Sequence, residues 1–328
     1  MATATLRTRI ADESVDEMRE IVTASSRTRS PDPERAVKDA LAAYIRQNTA
    51  LGDGRNVLAD RLDHYLDVRR MRESSFWEHQ ELLRKAVLGQ APEAARNMAR
   101  YLPPSPPDET GETTVGIRLL PGVRLCYGLD GGGQVFGLYD GATPAETVLF
   151  LEHTYYHDLS TRWNTPRLDR AERTAQTAEG LLVWTLGLIR NEGIANIAVL
   201  DGLERLRREQ TGFSYFTYAG LIGEEAATAR AMTAFRTLVA DLSPATAARI
   251  AVNISRVLKN PRLPVINLIG IHMARAVIAH HGLPTLLNVD GQEPEDFFAL
   301  YAATGDSLVP ELLGPHRELE ERVCRVRG

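Results

Sequence analysis

Two histidines four residues apart, His153 and His157, stand in the apolar and aromatic stretch "FLEHTYYHDL" at 150–159. On a helix that spacing is one turn on one face, so both imidazoles can reach a single metal ion. A carboxylate follows 35 residues after His157, in "NEGIAN" at 191–196. Glu192 there interrupts an apolar run from "LLVWTLGLIR" to "IAVLDG". A carboxylate on such a face is costly unless paired, capped or bound to a cation. Two readings stand side by side. In one, the histidines pack a helix, and Glu192 is a helix-start charge near solvent with Arg190 as its partner. In the other, His153, His157 and Glu192 are the three ligands of a two-histidine, one-carboxylate site. Gly193 and Ala195 would then let their helix come close to the histidine helix. Asn196, one turn after Glu192, would hydrogen-bond a ligand histidine from the second shell.

The rest of the chain must position these groups. The 328 residues suit one large domain or two modest ones. The net charge of -5 is mild and gives no reason to expect nucleic acid or an anionic membrane as partner. No apolar run reaches the roughly 18 residues of a membrane span. The N-terminus lacks the apolar core of a secretion signal, so a soluble, cytoplasmic protein is expected. Cys126 and Cys324 are too few for a disulfide framework or a cysteine zinc knuckle. Any metal must therefore be held by His, Asp or Glu.

Residues 1–105 read as a helical N-terminal subdomain: "SPDPERAVKDALAAYIRQ" repeats apolar residues at a helical period, and "NVLADRLDHYLDVRRMRESSFWEHQELLRKAVL" continues as one long helix or two. "YLPPSPPDETGE" at 101–112 is a linker or long loop. Beyond it, residues 112–328 form the core. Residues 113–140, punctuated by "PG", "GGG" and "DG", predict three short strands in a small antiparallel sheet. Thr143, Pro144 and Glu146 form a helix start. The histidines then lie near the end of a helix over 144–160. "SPATAARIAVNISRVL" and "LPVINLIGIHMARAVIAHHG" predict further helices, the second buried and ending at Gly282. The fold class is mainly helical α+β.

"LEHTYYHDL" followed by "NEGIAN" resembles the gluzincin zinc peptidases, above all a bacterial branch in which a His-Glu-x-x-His helix precedes a Glu-Gly-x-Ala helix. "INLIGIHMARAVIAHHGLPTLLNVDGQEPEDFFALY" is similar to that branch too, with its buried glycine-containing helix, Gly-Leu turn and Phe-Phe-x-x-Tyr segment. The likeness covers roughly residues 112–302. It implies a gluzincin-like core in which His153, His157 and Glu192 are the ligands of one divalent metal. Three protein ligands with an open fourth position mark a catalytic site. Zinc is the expected ion, and iron(II) is the alternative for the same donor set.

The chain departs from the family at the general base. The glutamate after the first histidine is replaced by Thr154, and a hydroxyl can orient water but is not a base near neutral pH. Losing such a base costs a factor of about 100 to 10,000. Glu152 lies about 200° around the helix from Thr154 and is expected at the surface or in the second shell. Relatives often carry a tyrosine one turn before the glycine of the buried helix, where this chain has Asn267, still a hydrogen-bond donor. His272, two residues after Gly270, is read either as a satisfied core histidine or as an acid or base facing the metal. The expected function is a metal-dependent enzyme of altered chemistry (a lyase, a cyclase or a base-independent hydrolase) acting on a small molecule or peptide. The alternatives are a pseudopeptidase that binds a peptide or partner, with His272 or Asp158 filling the open position, and an iron(II) oxidative enzyme. Thr154 and His272 are the catalytic candidates, and Asn196 and Asp158 the second-shell ones.

The remaining candidates have plainer readings. His64 and His79 lie on polar-faced helices. "HHG" at 280–282 suits a helix end. "LDGGGQVFG" lacks the lysine of a phosphate loop and reads as a hairpin turn. "RLRREQ" is a solvated helix face. One of Tyr155 and Tyr156 packs inward, and Tyr215 and Tyr218 line the cleft.

Overall fold

The computed structural model describes residues 6–27, 30–48, 59, 66–101, 113–124, 126–128, 134–174, 177–209, 214–243, 245–247, 250, 263–290 and 292–305. The proline-rich segment 102–112, His64, Cys324 and most of the helix expected over 243–258 lie outside the described residues. The chain divides into two compact units. The first takes in the described parts of 1–99, 109–158 and 210–215, and the second those of 100–108, 159–209 and 216–328.

The first unit is built on a four-stranded sheet: β1 (Leu6–Ala11), β2 (Thr113–Pro121), β3 (Cys126–Gly128) and β4 (Gln134–Leu138), in the order β1-β2-β4-β3. The antiparallel sheet read from the sequence is corrected here. β1 pairs parallel with β2, and β2 parallel with β4; only β3 and β4 run antiparallel. The three runs after residue 112 are indeed strands, and β3 pairs antiparallel with β4; the glycine-rich segment between them, read as a hairpin turn, lies outside the described residues. β1, however, comes from about 100 residues upstream, inside the segment read as a helical subdomain. A parallel partner needs a long crossover, and no local turn signal announces one. The pattern was present: Leu6, Thr8 and Ile10 alternate with Arg7 and Arg9.

Among the described residues this unit packs the helices α1 (Glu13–Arg27), α2 (Pro33–Asn48), the short α3 (Val68–Met71) and α4 (Ser74–Met98). Their apolar faces close a core with Met18, Val37, Leu41, Phe76, Leu120 and Val135. Gly122 ends β2 at a φ of 75°, in the left-handed region glycine tolerates, and the buried Gln80 accepts its N–H at 3.1 Å. His79 meets the carbonyl of Ala142 at 3.0 Å, a structural use.

Helix α5 (Pro144–Thr174) follows, and it is 31 residues long. The histidine stretch therefore sits mid-helix and not near a helix end at 160. The division between the units falls within α5, after Asp158. The second unit continues with α6 (Ala178–Arg208), α7 (Glu225–Asp241), α8 (Val265–His281), α9 (Leu283–Asp290) and α10 (Pro294–Ala303). Thr177 caps α6, accepting from the Gly180 N–H at 3.0 Å. As the sequence predicts, α8 is buried for most of its length and stops at Gly282, φ 81°. Among the described residues no helix is long and apolar enough to cross a membrane.

Candidate metal centre

The start of α5 is fixed by its own cap and by a distant segment. Thr143 Oγ1 accepts from the Glu146 N–H at 3.1 Å. The Glu146 side chain does not reach back in a capping box. Its buried Oε1 accepts the N–H groups of Ser214 and Tyr215, each at 2.6 Å. Tyr215 is thereby brought onto Phe150, rings stacked at 4.1 Å and 10°, and its hydroxyl bridges the Tyr139 N–H and the Gly137 carbonyl. Phe150 in turn stacks against His153 at 6.3 Å and 15°. Tyr215 thus serves as a brace between β4 and α5 and sets the aromatic wall behind the first histidine.

One turn separates His153 from His157, and their Nε2 atoms are 3.0 Å apart with the rings at 77°. His153 is buried and His157 half-buried. Each of His153, His157 and Glu192 offers a ligand atom, and the three atoms lie within 4.8 Å of one another. Two imidazole nitrogens at about 2.05 Å from a tetrahedral zinc would be about 3.3 Å apart. The observed 3.0 Å fits that spacing with a small opening of the pair. It also fits a direct hydrogen bond in which one neutral imidazole donates and the other accepts.

Glu192 is placed by a helix crossing. A Cβ on Gly193 would stand 2.5 Å from the Gly270 carbonyl oxygen, and a Cβ on Gly270 would stand 2.4 Å from that of Ile189. The backbones of α6 and α8 therefore touch. The role expected for Gly193, closeness to the histidine helix, is corrected: it serves the approach of α8. One turn before Gly270, Asn267 donates from Nδ2 to Glu192 Oε2 at 2.8 Å. Asn196 is likewise reassigned. Its Nδ2 donates to the Glu192 backbone carbonyl at 2.7 Å, and its Oδ1 accepts the Tyr218 hydroxyl. Tyr218 is buried, and burial followed by the Glu192 charge holds its phenol well above the ordinary range. It remains a neutral donor, which fixes which way the Asn196 amide faces.

The other predicted residues fall in distinct places. Thr154 is buried, and its Oγ1 has no hydrogen-bond partner among the described residues. Glu152, expected at the surface or in the second shell, is buried and accepts from Asn97 Nδ2 of α4 at 2.8 Å. Asp158 is buried, and its charge adds to the upward pull of burial on the Tyr155 phenol. It does not belong to the ligand group. Neither does His272, whose Nε2 is 3.2 Å from the Tyr301 hydroxyl. Five helical residues turn His272 about 140° from Asn267, away from the face that meets Glu192. Arg190 is buried and bonds Asn191 Oδ1 and the Gln292 carbonyl rather than Glu192. Both Tyr155 and Tyr156 are fully buried.

Sequence reasoning undervalued Tyr218 and Glu146. Tyr218 follows the two histidines by more than 60 residues with nothing in its spacing to tie it to Glu192. Glu146 carried one signal, a carboxylate at the third helical position, and it pointed to a local cap. No family model, no curated protein and no solved structure matches the chain.

Proposed function

We propose that the protein binds one divalent cation, zinc in the first instance, through His153, His157 and Glu192, and uses it in a reaction on a small molecule or peptide. The observation that carries this reading is the convergence of the three ligand atoms within 4.8 Å, from residues 35 apart in sequence, with no cysteine required. Three nitrogen and oxygen donors leave room for a water or substrate atom. A zinc ion so held supplies Lewis acidity and an acidified water. The resemblance to the gluzincin peptidases supports the same ligand set.

The chemistry differs from peptide hydrolysis because Thr154 stands where the family's general base would be. Its buried hydroxyl, without a partner among the described residues, suits a hydrogen bond to a bound molecule. An unmet buried hydroxyl otherwise costs about 1–3 kcal/mol. Elimination, cyclisation or a hydrolysis that needs no strong base fits these groups. The donor set equally suits iron(II) and oxygen chemistry. Elemental analysis of protein purified without added metal tests the proposal: about one equivalent of zinc or iron per chain is expected, falling away in His153→Ala and Glu192→Ala. Thr154→Glu tests the altered chemistry, since restored peptidase activity would show that only the base is missing. No gain would mean that the cleft itself is remodelled for another substrate.

A further inference from the structure

Glu192 is gripped at two points. Asn267 of α8 holds its side chain at Oε2, and Asn196 holds its backbone carbonyl. Asn196 is itself locked by the Tyr218 hydroxyl. The three residues come from three separate stretches of chain: Asn196 and Asn267 bond Glu192 directly, and Tyr218 acts on it through Asn196. The Gly193–Gly270 crossing brings the α8 backbone near enough for a side chain as short as Asn to reach it.

We propose that Tyr218, Asn196 and Asn267 are a positioning shell for the third metal ligand, and that the Asn267 bond to Oε2 makes Glu192 bind the cation through one oxygen. This rests on the metal reading above. A carboxylate that is free to rotate can also chelate the cation with both oxygens and so fill the position a substrate atom needs. A carboxylate tethered at one oxygen presents the other, and the coordination sphere stays open. Outer partners of this kind orient the ligands and are typically worth about 10- to 100-fold in metal affinity. Shortening or lengthening the arm at 267 alters how Glu192 is held without replacing a ligand.

The experiment is a zinc competition titration against a chromophoric chelator, with the visible spectrum of the cobalt(II)-substituted protein as a report of coordination number. It is run on the full chain as wild type, Asn267→Leu, Asn267→Gln, Tyr218→Phe and His153→Ala. Folding of each metal-free variant is checked by circular dichroism. Asn267→Leu should weaken zinc by about 10- to 100-fold and shift the cobalt bands toward higher coordination. Asn267→Gln, which keeps the amide, should recover part of both. Tyr218→Phe should move affinity the same way by a smaller factor. If Asn267→Leu fails to fold, Tyr218→Phe decides. Folded variants with wild-type affinity and a wild-type cobalt spectrum would overturn the shell while His153→Ala still abolished binding. A wild-type protein that takes up no zinc would instead remove the metal reading, and the shell with it.

Discussion

Replacing Gly193 by alanine probes the link between packing and the candidate site. The new Cβ would meet the Gly270 oxygen at 2.5 Å, its carbonyl carbon at 2.7 Å and its Cα at 2.9 Å. All three are backbone atoms, so no side chain can swing aside. Reaching ordinary contact near 3.4 Å requires α6 and α8 to part by roughly 0.9 Å. Overpacking of this kind costs about 1–3 kcal/mol, and rigid backbone neighbours place the cost at the upper end. Alanine returns about 1 kcal/mol through helix propensity, which leaves a net loss of about 2 kcal/mol. A displacement of that size also carries the 2.8 Å bond from Asn267 to Glu192 past the range of a useful hydrogen bond, about 3.5 Å. The assay is urea unfolding in chelator, with zinc titration of the same samples. Gly89→Ala is the control, because a Cβ there meets nothing within 4 Å and should stabilise α4 by up to about 1 kcal/mol. A Gly193→Ala protein as stable as Gly89→Ala, with undiminished zinc affinity, would refute the reasoning.

Glu146→Ala removes two charge-assisted bonds to the Ser214 and Tyr215 N–H groups and should cost about 3 kcal/mol in chemical denaturation. Glu146→Gln should cost less, because its amide oxygen still accepts; a loss as large as that of Glu146→Ala would show that the neutral acceptor contributes nothing, and no loss in either would show that the bonds are irrelevant. Burial comes first among the causes that raise the Tyr155 and Tyr218 phenols. Both forms of the protein hold these protons below pH 10. Above it the unfolded chain releases them first, so stability should fall with rising pH by about 1.4 kcal/mol per pH unit for each tyrosine. Tyr155→Phe and Tyr218→Phe should each flatten that alkaline slope, and an unchanged slope would contradict the assignment. Thr154→Val swaps a buried hydroxyl that has no partner among the described residues for a methyl of similar volume, so the metal-free protein should be at least as stable by thermal melting. A marked loss would mean that the hydroxyl is bonded within the folded chain.

The grouping of His153, His157 and Glu192 was legible in the sequence because its signals are local. Four-residue spacing places His153 and His157 on one face, and a carboxylate in an apolar run asks for a partner. The start of α5 and the end of α8 were equally local, set by Thr143 with Pro144 and by Gly282. What escaped depends on distant chain. The parallel pairing of β1 with β2 joins segments about 100 residues apart, and the nearby strands by themselves looked like an antiparallel meander. Gly193 was recognised as a close-approach residue but given the wrong neighbour, since small residues show that a backbone comes near and not which one. Asn196 carries the same lesson. Its spacing fixes its turn relative to Glu192, but whether it faces a histidine or Tyr218 depends on α8 and the 218 segment.

The central claim is that His153, His157 and Glu192 share one cation, and a crystal soaked in zinc, with anomalous scattering recorded at the zinc edge, tests it most directly. One peak should appear at bonding distance from a nitrogen of each imidazole and an oxygen of Glu192. A map at saturating zinc that shows the two histidines bonded to each other and no peak beside them would contradict it.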